Sequence, residues 1–208
     1  MPWKERLFII GASVVAIGTI GAIIALRPNN TPNKPVVLNE LAVQQDQPMV
    51  TYLDPYFGSA SATKVIVLYA NYACPYCASA ETDLRSLAAH HPEVKVVWKD
   101  LPNGVPGVED ASEAAHCAKV QGKFWEFHQL LHESTDWSTP NLVMDANQLG
   151  LNMESFGSCL QNHDMKPLID RTVSEGIALG INATPTIYIG KNRYVGQLSY
   201  DQLETAIR

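Results

Sequence analysis

Charge is scarce in this chain. Only 17% of its 208 residues are Asp, Glu, Lys or Arg, and the formal net charge is −6. No stripe of Lys and Arg runs along any segment, so the electrostatic footprint of a nucleic-acid binder is missing. Zinc-ligand spacing is missing as well. One Cys-x-x-Cys occurs without a second, Cys117 and Cys159 are isolated in sequence, and His128 and His132 stand apart from them. Those two histidines are four residues apart but lack the glutamate of a zinc-protease motif, so they read as a solvated helix face and no metal is expected. The segment from Gly58 to Lys64 echoes a phosphate loop but has no second glycine and precedes a strand-like run, which sets it aside.

Apolar residues are plentiful, at 46%. Leu7 to Leu26 runs twenty residues without a charge, long enough to cross a bilayer core as a helix. Lys4 and Arg6 precede it and favour a cytoplasmic N-terminus, although Arg27 and Lys34 on the far side weaken the asymmetry. An uncleaved anchor is favoured over a signal peptide, because Ala22 to Arg27 offers a poor small-x-small cleavage site. Either reading exports the rest of the chain. In that setting four cysteines suit two disulfides. Pro28 to about Gln47 is rich in Pro, Asn and Gln and reads as a linker. The expected organisation is an anchor at 1–27, a linker at 28–48 and one folded domain at 49–208.

Within that domain, Lys64 to Ala70 reads as a buried strand. Asp54 to Thr63 before it reads as a turn-rich stretch. The strand leads into Cys74-Pro75-Tyr76-Cys77 and a helix from Ala78 to His91, closed by Pro92. A cysteine at a helix N-terminus lies among unpaired N–H groups, which favours its thiolate. Pro75 suits the first helical position. The second sulfur, one turn on, can close an easily reduced disulfide. Cys74 thus reads as the attacking nucleophile and Cys77 as the resolving thiol. A zinc site and an inert pair are the competing readings.

Val94 to Lys99 is the next strand and completes a βαβ unit. Helical periodicity follows over Val108–Gln121, Lys123–His132, Asn141–Leu149, Met153–Gln161 and Lys166–Leu179, with Phe124, Trp125 and Phe127 as core candidates. Thr186–Gly190 and Arg193–Gly196 flank Lys191-Asn192 as a hairpin, and Tyr200–Ile207 is a last helix. The fold class is α/β: a mixed sheet interrupted by helices at about 105–180.

These motifs, in this order, together with Gln121 to His128 after Cys117 and Ala183-Thr184-Pro185-Thr186 opening the hairpin, resemble the DsbA-like branch of the thioredoxin fold over residues 50 to 208. The resemblance implies that Pro185 is a cis-proline facing the Cys74–Cys77 pair. It also implies that the Thr184 backbone pairs with an extended substrate segment. A trans proline opening a strand is the alternative. Cys117 and Cys159 match positions where some members carry a second disulfide. Two free thiols or a relay pair are the other options.

Two departures stand out. Leu68 occupies the position of a buried acid that many relatives place six residues before the first cysteine. Asn71 and Tyr72 are then the polar side chains nearest the motif, and Lys99 and Asp100 are candidates for proton transfer. Tyr76 replaces a histidine, so a less oxidising pair is expected. The function implied is extracytoplasmic thiol–disulfide exchange with substrate proteins, without a cofactor and with a membrane redox partner. An isomerase or reductase is the alternative within that chemistry, and a non-catalytic chaperone the alternative outside it.

Overall fold

The computed structural model describes residues 46–102 and 104–208. The expected anchor at 7–26 and the linker up to residue 45 lie outside the described residues. No helix among the described residues is long and apolar enough to cross a membrane.

A five-stranded sheet forms the centre, in the order β1-β3-β2-β4-β5. Its strands are β1 (Tyr56–Gly58), β2 (Lys64–Ala70), β3 (Val94–Asp100), β4 (Thr186–Ile189) and β5 (Asn192–Val195). Among the described residues the one parallel pair is β2 with β3, in register from Lys64 opposite Val94 to Ala70 opposite Asp100. Helix α1 (Pro75–His90) makes the crossover that a parallel pair needs. Between β3 and β4 lie α2 (Val108–Val120), α3 (Phe124–Glu133), α4 (Thr139–Gln148), α5 (Met153–Gln161) and α6 (Lys166–Ala178). Helix α7 (Tyr200–Ala206) follows β5 and packs against α1.

Strand β1 corrects the turn reading of Asp54 to Thr63. Its three residues pair antiparallel with β3, Tyr56 opposite Val97 and Gly58 opposite Lys95. Three residues are too few for alternation to show in sequence. Gly58 belongs to this edge and to no phosphate loop. Its φ is +93°, and a Cβ there would meet the Val94 carbonyl oxygen at 2.6 Å, so only glycine fits.

Because side chains alternate along a strand, the sheet separates two cores. Ile66, Leu68, Val94, Val96 and Trp98 join one face with residues of α1, α2, α3, α5 and α7. Val67, Tyr69, Val97 and Tyr188 join the other, covered by Val173 and Leu179. Lys99 also falls on this second face. Its ammonium is almost fully buried and contacts Asp54 at 3.0 Å, Glu175 at 3.2 Å and the Met49 carbonyl at 2.7 Å. A buried cation survives only with such compensation.

Cys117 of α2 and Cys159 of α5 are joined by a disulfide between buried positions 42 residues apart. Closing that loop restricts the unfolded chain. Replacing both cysteines by alanine is therefore expected to lower stability by about 4 kcal/mol in the chain-entropy view. Denaturant midpoints with Cys74–Cys77 kept oxidised check this, and an unchanged midpoint would contradict it.

Candidate active site

Strand β2 ends at Ala70, and Asn71 to Ala73 turn the chain into α1, with Cys74 as the N-cap and Pro75 in the first turn. The Cys74 amide closes the turn on the Asn71 carbonyl at 3.3 Å. Cys74 and Cys77 are disulfide-bonded. No acidic side chain lies in the first turn of α1. A thiolate released at Cys74 would thus face unpaired N–H groups with no carboxylate opposing it. The two sulfurs differ in access. Cys77 is 0% exposed and Cys74 9%, while Tyr76 beside them is 64% exposed.

The opposing wall comes from β4. Antiparallel pairing puts Thr186 opposite Tyr69, so the segment that opens β4 arrives where β2 ends. The Thr184–Pro185 peptide bond is cis. Pro185 is buried, and the Thr184 carbonyl oxygen lies 3.4 Å from Cys74 Sγ. Asn71 ties the two segments together: its Nδ2 donates to the Leu101 carbonyl at 2.9 Å and to Thr184 Oγ1 at 3.2 Å.

With this geometry in place, comparison with known proteins is direct. A family model described as Thioredoxin matches residues 51–208. The chain belongs to the thioredoxin family. It superposes on a thioredoxin-like oxidoreductase from Silicibacter pomeroyi with a TM-score of 0.69 at 25% identity, covering 76% of this chain and 91% of that one. The thiol-disulfide exchange protein alpha-DsbA2 from Wolbachia pipientis gives a TM-score of 0.69 over 82% of this chain and 91% of that one. Identity there is 18%, so that likeness is one of fold. The family match and the fold of these neighbours agree with the Cys74–Cys77 disulfide and the cis Thr184–Pro185 bond of this chain. Among curated sequences it is 32% identical over 153 residues to the Na(+)/H(+) antiporter NhaA 3 of Salinispora tropica, which is 72% of this chain but 24% of that protein. The chain therefore spans about a quarter of that relative's length.

Sequence reasoning missed the polar side chains behind this thioredoxin-family disulfide. His128 and His132 do not form a solvated face. His128 is 2% exposed, and α3 turns both rings toward the sheet, where Trp98 meets His128 edge-on at 4.4 Å between ring centroids. Phe124 and Phe127 are buried with them, and Trp125 is partly buried against that core. Glu81, one turn beyond Cys77 on α1, meets His128 Nε2 at 2.7 Å through Oε2. Tyr72 stacks on Trp98 and shares a 3.0 Å hydrogen bond with His128 Nδ1. The i to i+4 spacing of Cys77 and Glu81 was the available signal, since it puts both on one face.

Burial works against ionisation of Glu81, but the His128 hydrogen bond, the nearby His132 ring and the charge of Arg85 outweigh it and hold the carboxyl well below its usual range. Burial dominates at His128 and lowers it, despite Glu81. Burial likewise pushes the Tyr72 phenol well up, aided by Asp100 and Glu81.

The proposed proton-transfer candidates are both engaged elsewhere. Lys99 lies on the opposite face of the sheet, among Asp54 and Glu175. Asp100 accepts from Trp98 Nε1 at 2.9 Å and lies 2.8 Å from His116 Nε2. Burial of Asp100 opposes its charge, yet the His116 hydrogen bond and charge, with Trp98, prevail and lower it. A carboxyl lowered on folding contributes stability that is present above its unfolded value of about 3.9 and lost as pH falls through the folded value. Acidification below about pH 4 should therefore destabilise the wild type more steeply than Asp100→Asn. Denaturation midpoints measured from pH 6 downward test this; parallel profiles would contradict it.

Proposed function

We propose that Cys74 is the exchanging sulfur and Cys77 the resolving one, and that the protein introduces disulfides into substrate proteins. A substrate thiolate attacks Cys74 Sγ, the Cys74–Cys77 bond breaks, and Cys77 leaves as thiolate. The substrate's second thiolate then attacks its own sulfur in the mixed disulfide. Cys74 departs with the electron pair, leaving a substrate disulfide and a reduced pair. A membrane redox partner reoxidises that pair. The carrying observation is the asymmetry of the pair at one helix N-terminus: Cys74 keeps a little exposed surface beside the Thr184 carbonyl and Cys77 keeps none. Thr184 and Pro185 form the groove in which an extended substrate segment pairs strand-like, with Pro75 and Tyr76 on the other side.

The work is done outside the cytoplasm, with residues 7–26 holding the domain to the membrane. The twenty uncharged residues and the Cys117–Cys159 disulfide support that location. One observation favours the reverse direction, reduction or isomerisation. Tyr76 brings no positive charge next to the Cys74 thiolate, which makes the pair less oxidising.

Three experiments bear on this. Cys77→Ser should accumulate a mixed disulfide with substrate at Cys74, and Cys74→Ser should abolish exchange; activity surviving in Cys74→Ser would leave only a binding role. Tyr76→His should raise the reduction potential by tens of millivolts, about 30 mV for each 1.4 kcal/mol of added thiolate stabilisation. Equilibration with glutathione reads that shift. Thiol trapping in the native membrane decides direction: a mostly oxidised pair supports disulfide introduction, a mostly reduced pair the opposite.

A further inference from the structure

The cluster behind the disulfide has the donors of a metal site. His128 and His132 are at i and i+4 on α3, so both rings project from one face. The carboxylate that the local sequence lacks comes from another helix. Glu81 Oε2 lies 2.7 Å from His128 Nε2 and 3.4 Å from His132 Nε2, and all three donor atoms fall within 4.8 Å of one another. Donors around a tetrahedral ion are spaced by about 3.4 Å, given metal–ligand distances near 2.0–2.1 Å. The Glu81–His132 separation already has that value, and the Glu81–His128 separation is shorter by 0.7 Å.

Three further features suit an ion better than a plain hydrogen-bond network. His132 Nε2 is shut off from solvent and makes no hydrogen bond of good geometry among the described residues. Such a buried polar atom is costly unless something satisfies it. The remaining groups orient the donors from behind. Arg85 takes the other carboxylate oxygen, Oε1, through Nε at 2.7 Å and Nη2 at 2.6 Å, while Tyr72 engages His128 Nδ1. This is how outer partners align metal ligands. Finally, the cluster lines a cavity of about 460 Å³, whose wall also includes Trp125, Glu126 and Gln129. A water from that space can fill a fourth position.

We propose that Glu81, His128 and His132 bind one divalent transition-metal ion of the Zn²⁺ class, with a solvent-facing fourth position. Two imidazoles and one carboxylate suit Zn²⁺, whereas Ca²⁺ and Mg²⁺ prefer all-oxygen sites. Glu81 is one turn from Cys77, so reduced thiols nearby would compete for the ion, and binding is tested on the oxidised protein.

Titration of the full-length, untagged, oxidised chain in detergent with ZnCl₂ near neutral pH should show one ion bound. His132→Ala and Glu81→Gln should each weaken binding at least tenfold, since loss of even an outer partner commonly costs 10–100-fold. His163→Ala, which removes the only other clustered histidine site with Asp110 and Glu113 among the described residues, should leave it unchanged. Should either ligand variant fail to fold, the zinc K-edge absorption of the wild type decides. Two imidazole ligands with nitrogen or oxygen neighbours near 2.0 Å are expected. No binding up to about 0.1 mM ion, binding retained in His132→Ala but lost in His163→Ala, or an all-oxygen or sulfur shell would overturn the proposal.

Discussion

The site depends on strand β2 being the middle strand of the sheet. Its parallel partner β3 requires a crossover helix, and that helix starts where β2 ends, which sets Cys74 at the N-terminus of α1. Its antiparallel partner β4 runs the other way, so β4 begins at the same end of the sheet. Opposite strand directions on the two sides of β2 thus bring Cys74 and Thr184–Pro185 together across 110 residues of chain. No side chain needs to do this. Asn71 then locks the juxtaposition by bridging Leu101 and Thr184.

Alternation along β3 explains where the buried charge goes. Lys99 and Asp100 are neighbours in sequence but face opposite cores, because successive strand residues point to opposite sides. Lys99 is paired with Asp54 and Glu175, and Asp100 lies against His116. The face that carries Cys77 has a polar network of its own, formed by Glu81, His128 and Tyr72. Each of these groups is costly alone and tolerable only within its set. The thioredoxin-family disulfide therefore sits against a charged network and not against a purely apolar wall.

Much of the architecture was legible along the chain. The bounds of β2 and α5 match the expected ones, and β3, α2, α3 and α6 match within one or two residues. Each is long or strongly periodic, and such segments carry their pattern locally. Strand β1 was not legible, since three residues make no pattern and its pairing with β3 is a long-range event. The histidines were misread for a related reason. Helical spacing says that two residues share a face, but not whether that face meets solvent or another helix.

The sequence by itself determined the Cys-x-x-Cys at a helix start, the order of strands and helices from β2 onward, and the uncharged run of residues 7–26. These are properties of consecutive residues, read from periodicity, capping and composition. Only the tertiary structure decided that Glu81 meets His128, that the Thr184 carbonyl faces Cys74, and that Cys117 joins Cys159. Those contacts link residues 42 to 110 positions apart. They follow from how helices pack on a twisted sheet, and local propensity carries no information about a partner that far along the chain.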